Sequence, residues 1–195
     1  MNKKNLKKQE WKPGNMLYPL PAIMVSCQRE NERPSIITIA WTGTICSDPA
    51  MVSISVRRER HSYDIIKETG EFVINLTTAD LAFATDYCGV KSGRDVDKFK
   101  EMNLTESKSS KVSCPGIGES PVNIECKVRN IIPLGTHDMF IADVVAVMVS
   151  EEYMDENGKF DLNSTNLLQY SHGEYFTLGD KIGKFGYSVA KKKGR

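Results

Sequence analysis

SIITIAWT at residues 35–42 and MVSISV at residues 51–56 are rich in β-branched side chains that follow a period of two. This is the repeat of a β-strand, because successive side chains of a strand point to opposite faces of the sheet. The same pattern recurs at 72–76 (FVINL), 121–129 (PVNIECKVR) and 139–149 (MFIADVVAVMV), and 20–26 (LPAIMVS) is predicted as an opening strand. The pattern therefore predicts a mainly β protein.

The helices predicted between these strands are few and short. Ser62 is predicted to cap a helix that stops at Gly70, and Thr78 to cap a second helix that stops at Gly89. The polar stretch 105–119 predicts a surface loop. Many strands with a few inserted helices indicate an antiparallel barrel or sandwich with helical additions.

Two of the strands differ in how their faces are composed. One face of 121–129 carries only polar side chains, namely Asn123, Glu125, Lys127 and Arg129, which predicts a strand with one side in water. In 139–149 both faces are nearly all apolar, with Asp143 as the exception. A partner subunit would cover such a strand, and a position in the centre of the fold would cover it equally well.

Charge is segregated along the chain. The 195 residues include 26 Lys and Arg against 25 Asp and Glu, a formal net charge of +1. Residues 1–12 and 190–195 each carry a net charge of about +4, so the segment between them is acidic. We predict one domain over 13–189 with a basic tail at each end, and the overall balance excludes a nucleic-acid binder that relies on bulk positive charge. The tails are predicted to be solvated, with a partner role as the alternative.

The five cysteines are odd in number and scattered, and no CxxC pair occurs among them. This usage indicates reduced packing residues in a cytoplasmic protein. The apolar runs are short, so neither a signal peptide nor a membrane span is predicted. The three histidines, His61, His137 and His172, lie far apart without metal-ligand spacing, so no metal site is predicted.

Two segments have the composition of an anion site. Arg57, Arg58 and Arg60 lead into the helix predicted at Ser62, where free backbone N–H groups, a hydroxyl and guanidinium groups suit a phosphate. A capped helix flanked by solvated arginines is the alternative. The segment 88–99 (CGVKSGRDVDKF) combines two glycines with the donors of Ser92, Arg94 and Lys98, and a plain surface loop is its alternative.

A third segment, TIAWTG at residues 38–43, places Thr38, Ala40 and Thr42 on one strand face. This narrow strip of small side chains would let a planar ligand approach the backbone. Trp41 alternates to the opposite face, so it reaches the same ligand only if the strand bulges or ends there. A role as a core or interface aromatic is the alternative for Trp41.

Six segments in a fixed order carry a resemblance to a known family: TIAWTG, SVRRERHSY, EFVINL, YCGVKSGRDVDKF, GTHDMFIADVVAV and LLQYSHGEYFTLG. In this order they resemble the flavin reductase-like, FMN-binding split-barrel family, and its flavoredoxin branch most closely. The resemblance implies an antiparallel Greek-key split barrel with short flanking helices. It also implies a homodimer with one FMN per subunit near the interface.

The resemblance further implies roles for individual residues. Ser62 matches the hydroxyl on the FMN phosphate, with Arg57 and Lys98 as cationic partners and Ser92-Gly93 as a second phosphate-side loop. Ser35 stands where the family often has Asn near the flavin. The complete set implied to bind FMN is Ser35, Thr38, Ile39, Ala40, Trp41, Thr42, Ser55, Val56, Arg57, Ser62, Ser92, Gly93, Lys98, His137 and Tyr170.

Within that set, Thr38–Thr42 match the segment beside the isoalloxazine ring. Tyr170 matches an aromatic residue that covers the ring, and His137 matches a residue on the side where the nicotinamide approaches. We therefore predict an oxidoreductase that moves hydride from NAD(P)H to FMN and electrons to an unknown acceptor, with His137 as the catalytic candidate. One alternative is an electron carrier whose FMN is reduced by a protein partner. The other is a flavin-free split barrel that senses a small molecule.

Overall fold

The structure is a computed structural model that describes residues 5–190. Lys3 and Lys4 of the predicted N-terminal tail, and residues 191–195 of the predicted C-terminal tail, lie outside the described residues. The described strands are β1 (Leu20–Pro21), β2 (Ile23–Cys27), β3 (Ser35–Ile39), β4 (Thr42–Ser47), β5 (Ala50–Arg57), β6 (Glu71–Leu76), β7 (Glu106–Ser107), β8 (Gly116–Ile117), β9 (Val122–Leu134), β10 (His137–Val149), β11 (Leu168–Ser171) and β12 (Glu174–Thr177). The α-helices are α1 (His61–Thr69), α2 (Ala82–Val90) and α3 (Lys98–Glu101), and 3₁₀ turns lie at Ala79–Leu81, Glu151–Tyr153, Leu162–Thr165 and Tyr187–Val189.

Seven antiparallel strands form one sheet in the order β3-β2-β6-β9-β10-β5-β4. Its two edge strands, β3 and β4, are consecutive in the chain and are joined through Ala40 and Trp41 alone. The Thr42 N–H donates to the Ala40 carbonyl (3.0 Å), and the Ser55 N–H donates to the Trp41 carbonyl (2.8 Å). The sheet therefore curls until its edges meet at this corner, which makes the split barrel predicted from the sequence.

The barrel encloses an apolar core. Its buried members come from alternate positions of the strands and from one side of α1, as the period-two pattern requires. They are Ile23, Val25, Cys27, Ile37, Ile39, Val52, Ile54, Val56, Tyr63, Ile65, Ile66, Phe72, Ile74, Cys126, Phe140 and Ala142. A smaller cluster, Met24, Ile36, Leu81, Ala84, Cys88, Phe99 and Ile117, packs α2 and α3 against the outside of β2 and β3. The mainly β prediction is confirmed.

The predicted polar face of 121–129 is wrong over its first half. Asn123 is 8% exposed and Glu125 is fully buried, because the loop that carries β7 and β8 folds across this face. Both Glu125 carboxylate oxygens accept from the loop backbone, from the N–H of Ser110 (2.8 Å) and of Lys111 (2.6 Å). Asn123 donates to the Ile117 carbonyl (3.0 Å). Only Lys127 and Arg129 remain exposed.

Both predicted helix caps are also wrong in detail. Helix α1 begins at His61, so Arg60 occupies the cap and Ser62 lies buried in the first turn, while Gly70 ends the helix at φ +68° as predicted. Thr78 precedes the 3₁₀ turn without a side-chain cap bond. Helix α2 runs through Gly89 to Val90.

No helix within residues 5–190 has the length and apolar character needed to span a membrane.

Candidate functional site

A cleft lies where the barrel is split, between β3 and β5. Strand β3 pairs with β2 along one edge, and the pairing of β4 with β5 stops at Ile54. The Ser55 N–H still donates to the Trp41 carbonyl, whereas Val56 and Arg57 pair with β10 alone. Backbone groups on both sides of the split are therefore left without a strand partner in the described part of the chain. Such backbone groups need a hydrogen-bonding partner from elsewhere, and a ligand with polar atoms along its edge could provide one.

Two cavities occupy this cleft. The first, called the cationic cavity, has a volume of about 450 Å³ and is lined by Ile37, Arg57, Glu59, Arg60, His61, Ser62, Cys88, Lys91, Ser92, Gly93, Arg94 and Lys98. The second, called the aromatic cavity, has a volume of about 270 Å³ and is lined by Ile37, Thr38, Ile39, Ala40, Trp41, Ser55, Val56, Arg57, Arg60, His137 and Tyr170. Ile37, Arg57 and Arg60 line both, so the two cavities adjoin each other.

The cationic cavity carries five basic side chains against one acidic one. Its arginines are held by the loops around them: Arg60 donates to the Gly89 carbonyl (2.9 Å) and Arg94 to the Glu59 carbonyl (3.1 Å). Arg57 pairs with Glu59 at 3.3 Å. These contacts join the start of α1 to the segment after α2 and leave an excess of positive charge around the cavity.

The floor of the cationic cavity is built from small polar side chains. The Ser35 and Ser62 hydroxyls lie 3.2 Å apart, with Ser35 behind Ser62 and outside the cavity lining. Gly93 packs against Ser35 and His61 so closely that an added Cβ would lie 2.5 Å from the Ser35 Oγ and 2.9 Å from the His61 Cδ2. Burial, followed by the Arg94 guanidinium, lowers the pKa of His61.

Lys98 enters the cationic cavity from beneath. Its buried ammonium donates to the carbonyls of Ile36 and Cys88, both at 2.7 Å, and so ties β3 to the end of α2. Burial lowers the pKa of Lys98 to about 8 and raises that of the Cys88 thiol to about 11. An ammonium has three N–H donors, so these two bonds leave one that can serve a ligand.

The aromatic cavity lies beside the kink between β3 and β4. Strand β3 ends at Ile39, so Trp41 no longer alternates with its neighbours and lines the same cavity as Thr38 and Ala40. The sequence pattern required either a bulge or a strand end for this, and the structure has the strand end. Thr42 is outside the lining, because it is the first residue of β4 and its hydroxyl donates to the Ser53 carbonyl (2.8 Å). The Thr38 hydroxyl donates to the Thr85 carbonyl.

Tyr170 reaches the aromatic cavity from the β11–β12 hairpin. The ring of Tyr18 stands between it and Trp41, with centroids 6.0 Å from Tyr170 and 6.5 Å from Trp41. These separations are in the range of favourable aromatic pairs, so Tyr18 supports both rings. The sequence offered no local pattern around Tyr18 that singles it out.

His137 lines the aromatic cavity from the start of β10, opposite Arg57 in the ladder with β5. Its Nδ1 lies 2.9 Å from the Thr136 hydroxyl. Burial, and after it Arg57, lowers the pKa of His137, which favours the neutral imidazole at pH 7.

The next residue, Asp138, is buried and anchors this part of β10. It accepts from Arg58 Nε and Nη2 (3.0 and 2.7 Å) and from the Tyr63 hydroxyl (2.6 Å). Hydrogen bonds from Arg58 and then Tyr63 lower the pKa of Asp138. The resulting network holds the turn before α1 against the β9–β10 hairpin.

The structure therefore gathers most of the residues implied by the resemblance around one cleft, with Ser35 and Thr42 just behind it. Arg60 and Arg94 lie there as members of the positive cluster. His61 and Lys91 were not singled out from the sequence, although His61 stands between Arg60 and Ser62 in the anion segment. Among residues 5–190 no group of His, Cys, Asp or Glu has the arrangement of a metal site.

Comparisons with known proteins show similarity to flavin-related proteins along most of the chain. A profile of the flavin reductase like domain matches residues 16–179. An uncharacterized protein of Pyrococcus abyssi (strain GE5 / Orsay) is 32% identical over 167 residues, which are 86% of this chain and 95% of that protein. Flavoredoxin of Desulfovibrio vulgaris (Miyazaki F) matches with a TM-score of 0.87 and 29% identity, and flavoredoxin from Methanosarcina acetivorans with 0.83 and 25%; each match covers 94% of this chain and 100% of the flavoredoxin.

Proposed function

The chain belongs to the flavin reductase-like domain family, in its flavoredoxin branch, and we propose that it binds FMN and transfers electrons from NAD(P)H to an acceptor. The observation that carries this proposal is that a cationic cavity adjoins an aromatic one at the split of the barrel. Bound FMN supplies the chemistry, because its ring accepts a hydride and releases electrons one or two at a time.

The residues present fit an FMN. The phosphate needs hydroxyl and cationic donors, and the cationic cavity offers Ser62, Ser92 and five basic side chains. The planar ring needs a narrow slot with backbone groups along its edge, which the unpaired edges of β3 and β5 provide. A Cβ at Gly93 would crowd His61 and Ser35, whose hydroxyl contacts that of Ser62, so the phosphate end is shaped by the absence of a side chain.

Each group of residues then has a distinct proposed role. Ser62, Arg57 and the Ser92-Gly93 turn bind the phosphate, while Lys98 adds charge from below and fixes β3 against α2. The backbone of the Thr38–Trp41 segment binds the ring edge, and Ser55 and Val56 line the slot from β5. Ser35 positions the Ser62 hydroxyl. Tyr170 covers the ring and excludes water from it.

His137 is proposed to orient the nicotinamide. Its neutral imidazole lies at the open side of the aromatic cavity, and its Nδ1 is engaged with Thr136. Nε2 is therefore the ring nitrogen that can hydrogen-bond an incoming carboxamide. His137→Gln should still take up FMN and should slow flavin reduction by NAD(P)H about tenfold.

A second candidate function is an electron carrier whose bound FMN is reduced by a protein partner. The similarity to two flavoredoxins over 94% of the chain favours this candidate. The cavities suit both functions, since both require the same FMN site.

We also expect a cytoplasmic location, in keeping with five cysteines that carry no disulfide in the structure.

We further propose that the chain forms a homodimer. Apolar side chains remain exposed on β10, where Val147 is 52% and Met148 46% accessible. In the segment after β12, Ile182 is 92% exposed and Phe185 is fully exposed. Contact with a second copy would remove this surface from water. Val147→Glu with Met148→Glu should convert the dimer to a monomer in light scattering, whereas the exposed pair Glu151→Gln with Glu152→Gln should not.

The proposed FMN site is tested by comparing FMN with riboflavin, which lacks the phosphate. We expect FMN to bind at least ten times more tightly, and Arg94→Ala to reduce that preference. Arg129→Ala is the matched control, because Arg129 is an exposed arginine that pairs with Asp143 on the β9–β10 face. A preparation that takes up neither flavin would overturn both proposed functions.

Anaerobic titration with NADH and with NADPH then separates the two functions. Bleaching of the flavin absorbance by either nucleotide supports the reductase. Failure of both, together with reduction by a ferredoxin-type donor, supports the carrier and overturns the reductase.

A further inference from the structure

Helix α2 carries an apolar stripe on its outer side. Its inner side packs into the smaller core cluster through Cys88, whereas Phe83 is 77% and Val90 71% exposed. Phe83, Asp86, Tyr87 and Val90 share one side of the helix, because side chains three and four residues apart are neighbours there, and together they are called the α2 face. An exposed apolar surface with polar groups at its edge is typical of a site of protein–protein contact.

Exposed carboxylates lie on and beside the α2 face. Asp86 accepts a hydrogen bond from the Tyr175 hydroxyl (3.1 Å). Glu101 of α3 accepts one from the Tyr87 hydroxyl (3.0 Å), and Asp80 lies in the 3₁₀ turn directly before α2. Within residues 5–190, no basic side chain forms an ion pair with any of these three acids, so their charge is left for a partner.

The lysines that follow α2 in the chain leave this surface negative. Lys91 lines the cationic cavity, and the Lys98 ammonium is buried against two backbone carbonyls. Lys100 is exposed next to Glu101 and offsets one of the three carboxylates. A negative rim around an apolar centre complements a partner that carries basic side chains around an apolar centre of its own.

Helix α2 is the layer between this surface and the aromatic cavity. The hydroxyl of Thr38, which lines that cavity, donates to the Thr85 carbonyl of the helix. Gly89 approaches the same threonine so closely that an added Cβ would lie 3.3 Å from the Thr38 Cβ. A protein bound to the outer side of α2 would therefore be one helix away from a flavin in the aromatic cavity.

Two tyrosines of the β11–β12 hairpin connect the same places. A cavity of about 320 Å³ lies between α2 and this hairpin; Asp86 and Tyr175 line it, and it shares Tyr170 with the aromatic cavity. The ring centroids of Tyr170 and Tyr175 are 5.9 Å apart. Burial, and after it the hydrogen bond to Asp86, raises the pKa of Tyr175 to about 12, so its hydroxyl stays protonated and keeps the hairpin against α2.

We propose that the α2 face docks a basic one-electron carrier protein, which accepts the electrons of the reduced flavin. The inference rests on the proposed function, to which it adds the chemical class of the acceptor and the place where it binds. Phe83 and Val90 would be buried at the centre of the contact, and the carboxylates would pair with basic side chains at its rim. A fully reduced flavin gives one electron to each of two successive carrier molecules and releases two protons to water, which returns it to the oxidised form.

The test uses the FMN-loaded protein in excess over flavin, reduced anaerobically by light with EDTA as the electron donor, so that no nicotinamide is needed. The probes are cytochrome c, a basic one-electron carrier, and succinylated cytochrome c, in which the lysines have become acidic. Menadione, a small uncharged quinone, is the acceptor that needs no docking surface. We expect cytochrome c to be reduced at least about ten times faster than its succinylated form, at a rate that falls as salt is added.

Phe83→Ser and Val90→Ser should each slow the reduction of cytochrome c about tenfold and leave that of menadione unchanged. Asp86→Asn combined with Glu101→Gln should do the same, since the amides can still accept from the two tyrosines but carry no charge. The matched controls lie outside the α2 face. They are Leu162→Ser, at a side chain that is 38% exposed, and the exposed pair Glu151→Gln with Glu152→Gln, and both should reduce cytochrome c at the unchanged rate.

Equal rates with the two forms of cytochrome c, or rates that the α2 variants leave unchanged, would overturn the inference. So would conversion of a dimer to a monomer by Phe83→Ser in light scattering, because a second copy of the chain would then be what covers α2. Failure of the proposed function is visible earlier, as absence of FMN uptake before any acceptor is added.

Discussion

Gly93→Ala is the substitution that bears most directly on the phosphate end of the site. The new Cβ would lie 2.5 Å from the Ser35 Oγ and 2.9 Å from the His61 Cδ2, well inside van der Waals contact. The turn at residues 92–94 must move away, or Ser35 and His61 must rotate. Overpacking of this kind costs about 1–3 kcal/mol, which we expect as the loss in free energy of unfolding measured with urea.

The same displacement should weaken FMN. If the turn keeps the phosphate from seating on Ser62, a loss of about 1.4–2.8 kcal/mol corresponds to a rise of about 10–100-fold in Kd. Quenching of flavin fluorescence on titration with the protein measures this value. Riboflavin has no phosphate, so its Kd should change much less than that of FMN.

A double-mutant cycle with Ser35→Ala isolates the clash. Removing the Ser35 Oγ leaves the Cβ at 3.6 Å as the nearest atom of that residue, and the His61 ring can rotate. The double variant should therefore be more stable than the sum of the two single effects by about 1 kcal/mol. Gly179→Ala is the control, because nothing lies within 4 Å of its Cβ. Unchanged FMN affinity in Gly93→Ala, with the expected loss of stability, would refute the placement of the phosphate.

Three further outcomes follow from the buried charged groups. The pKa of Lys98 is lowered to about 8, so this side chain is about half protonated at pH 8 in the free protein. A bound phosphate dianion raises that pKa, so FMN binding at pH 8 should take up about half a proton. Calorimetry in buffers of different ionisation enthalpy measures the uptake, and Lys98→Met should abolish it. Asp138→Asn should lower the Tm at pH 7. The pKa of Asp138 is lowered below its ordinary 3.8, so the charged carboxylate stabilises the fold above about pH 4. The difference in Tm between the variant and the unchanged protein should vanish as the pH falls further. Glu125→Ala removes the buried carboxylate that accepts from the N–H groups of Ser110 and Lys111, and should lower the free energy of unfolding by about 2 kcal/mol. Hydrogen exchange should become faster in the β7–β8 loop alone; exchange that is unchanged in that loop would contradict the role assigned to Glu125.

The strands that the sequence predicted are those with a long apolar repeat. Strands β5, β6 and β10 include every residue predicted at 51–56, 72–76 and 139–149, and β9 includes all of the predicted 121–129 except Pro121. Strand β4 (TGTICS) and the β11–β12 hairpin were missed, because they are half-exposed and lack an apolar run. A short strand on the surface is stabilised by its ladder partners, and no local pattern reports those.

The residues of the candidate site also fall into those that the sequence indicated and those whose role only the structure revealed. Arg57, Arg60 and Ser62 are close in the chain, so their convergence is local and the sequence indicated an anion site there. Lys98 was predicted as a cation on a phosphate, whereas its ammonium also bonds two carbonyls that belong to β3 and α2. That second task depends on where α3 packs, which no spacing in the sequence encodes.

By itself, then, the sequence determined the strand-rich class, the helix that ends at Gly70 and the clustering of basic residues before α1. The tertiary structure decided what covers each face and which distant segments meet. A period of two reports that two faces differ, but the loop over Asn123 and Glu125 determines whether the polar face meets water. Likewise, the turn through Ala40 and Trp41 closes the sheet and brings β3 opposite β5. The proposed flavin site exists only because that closure is incomplete.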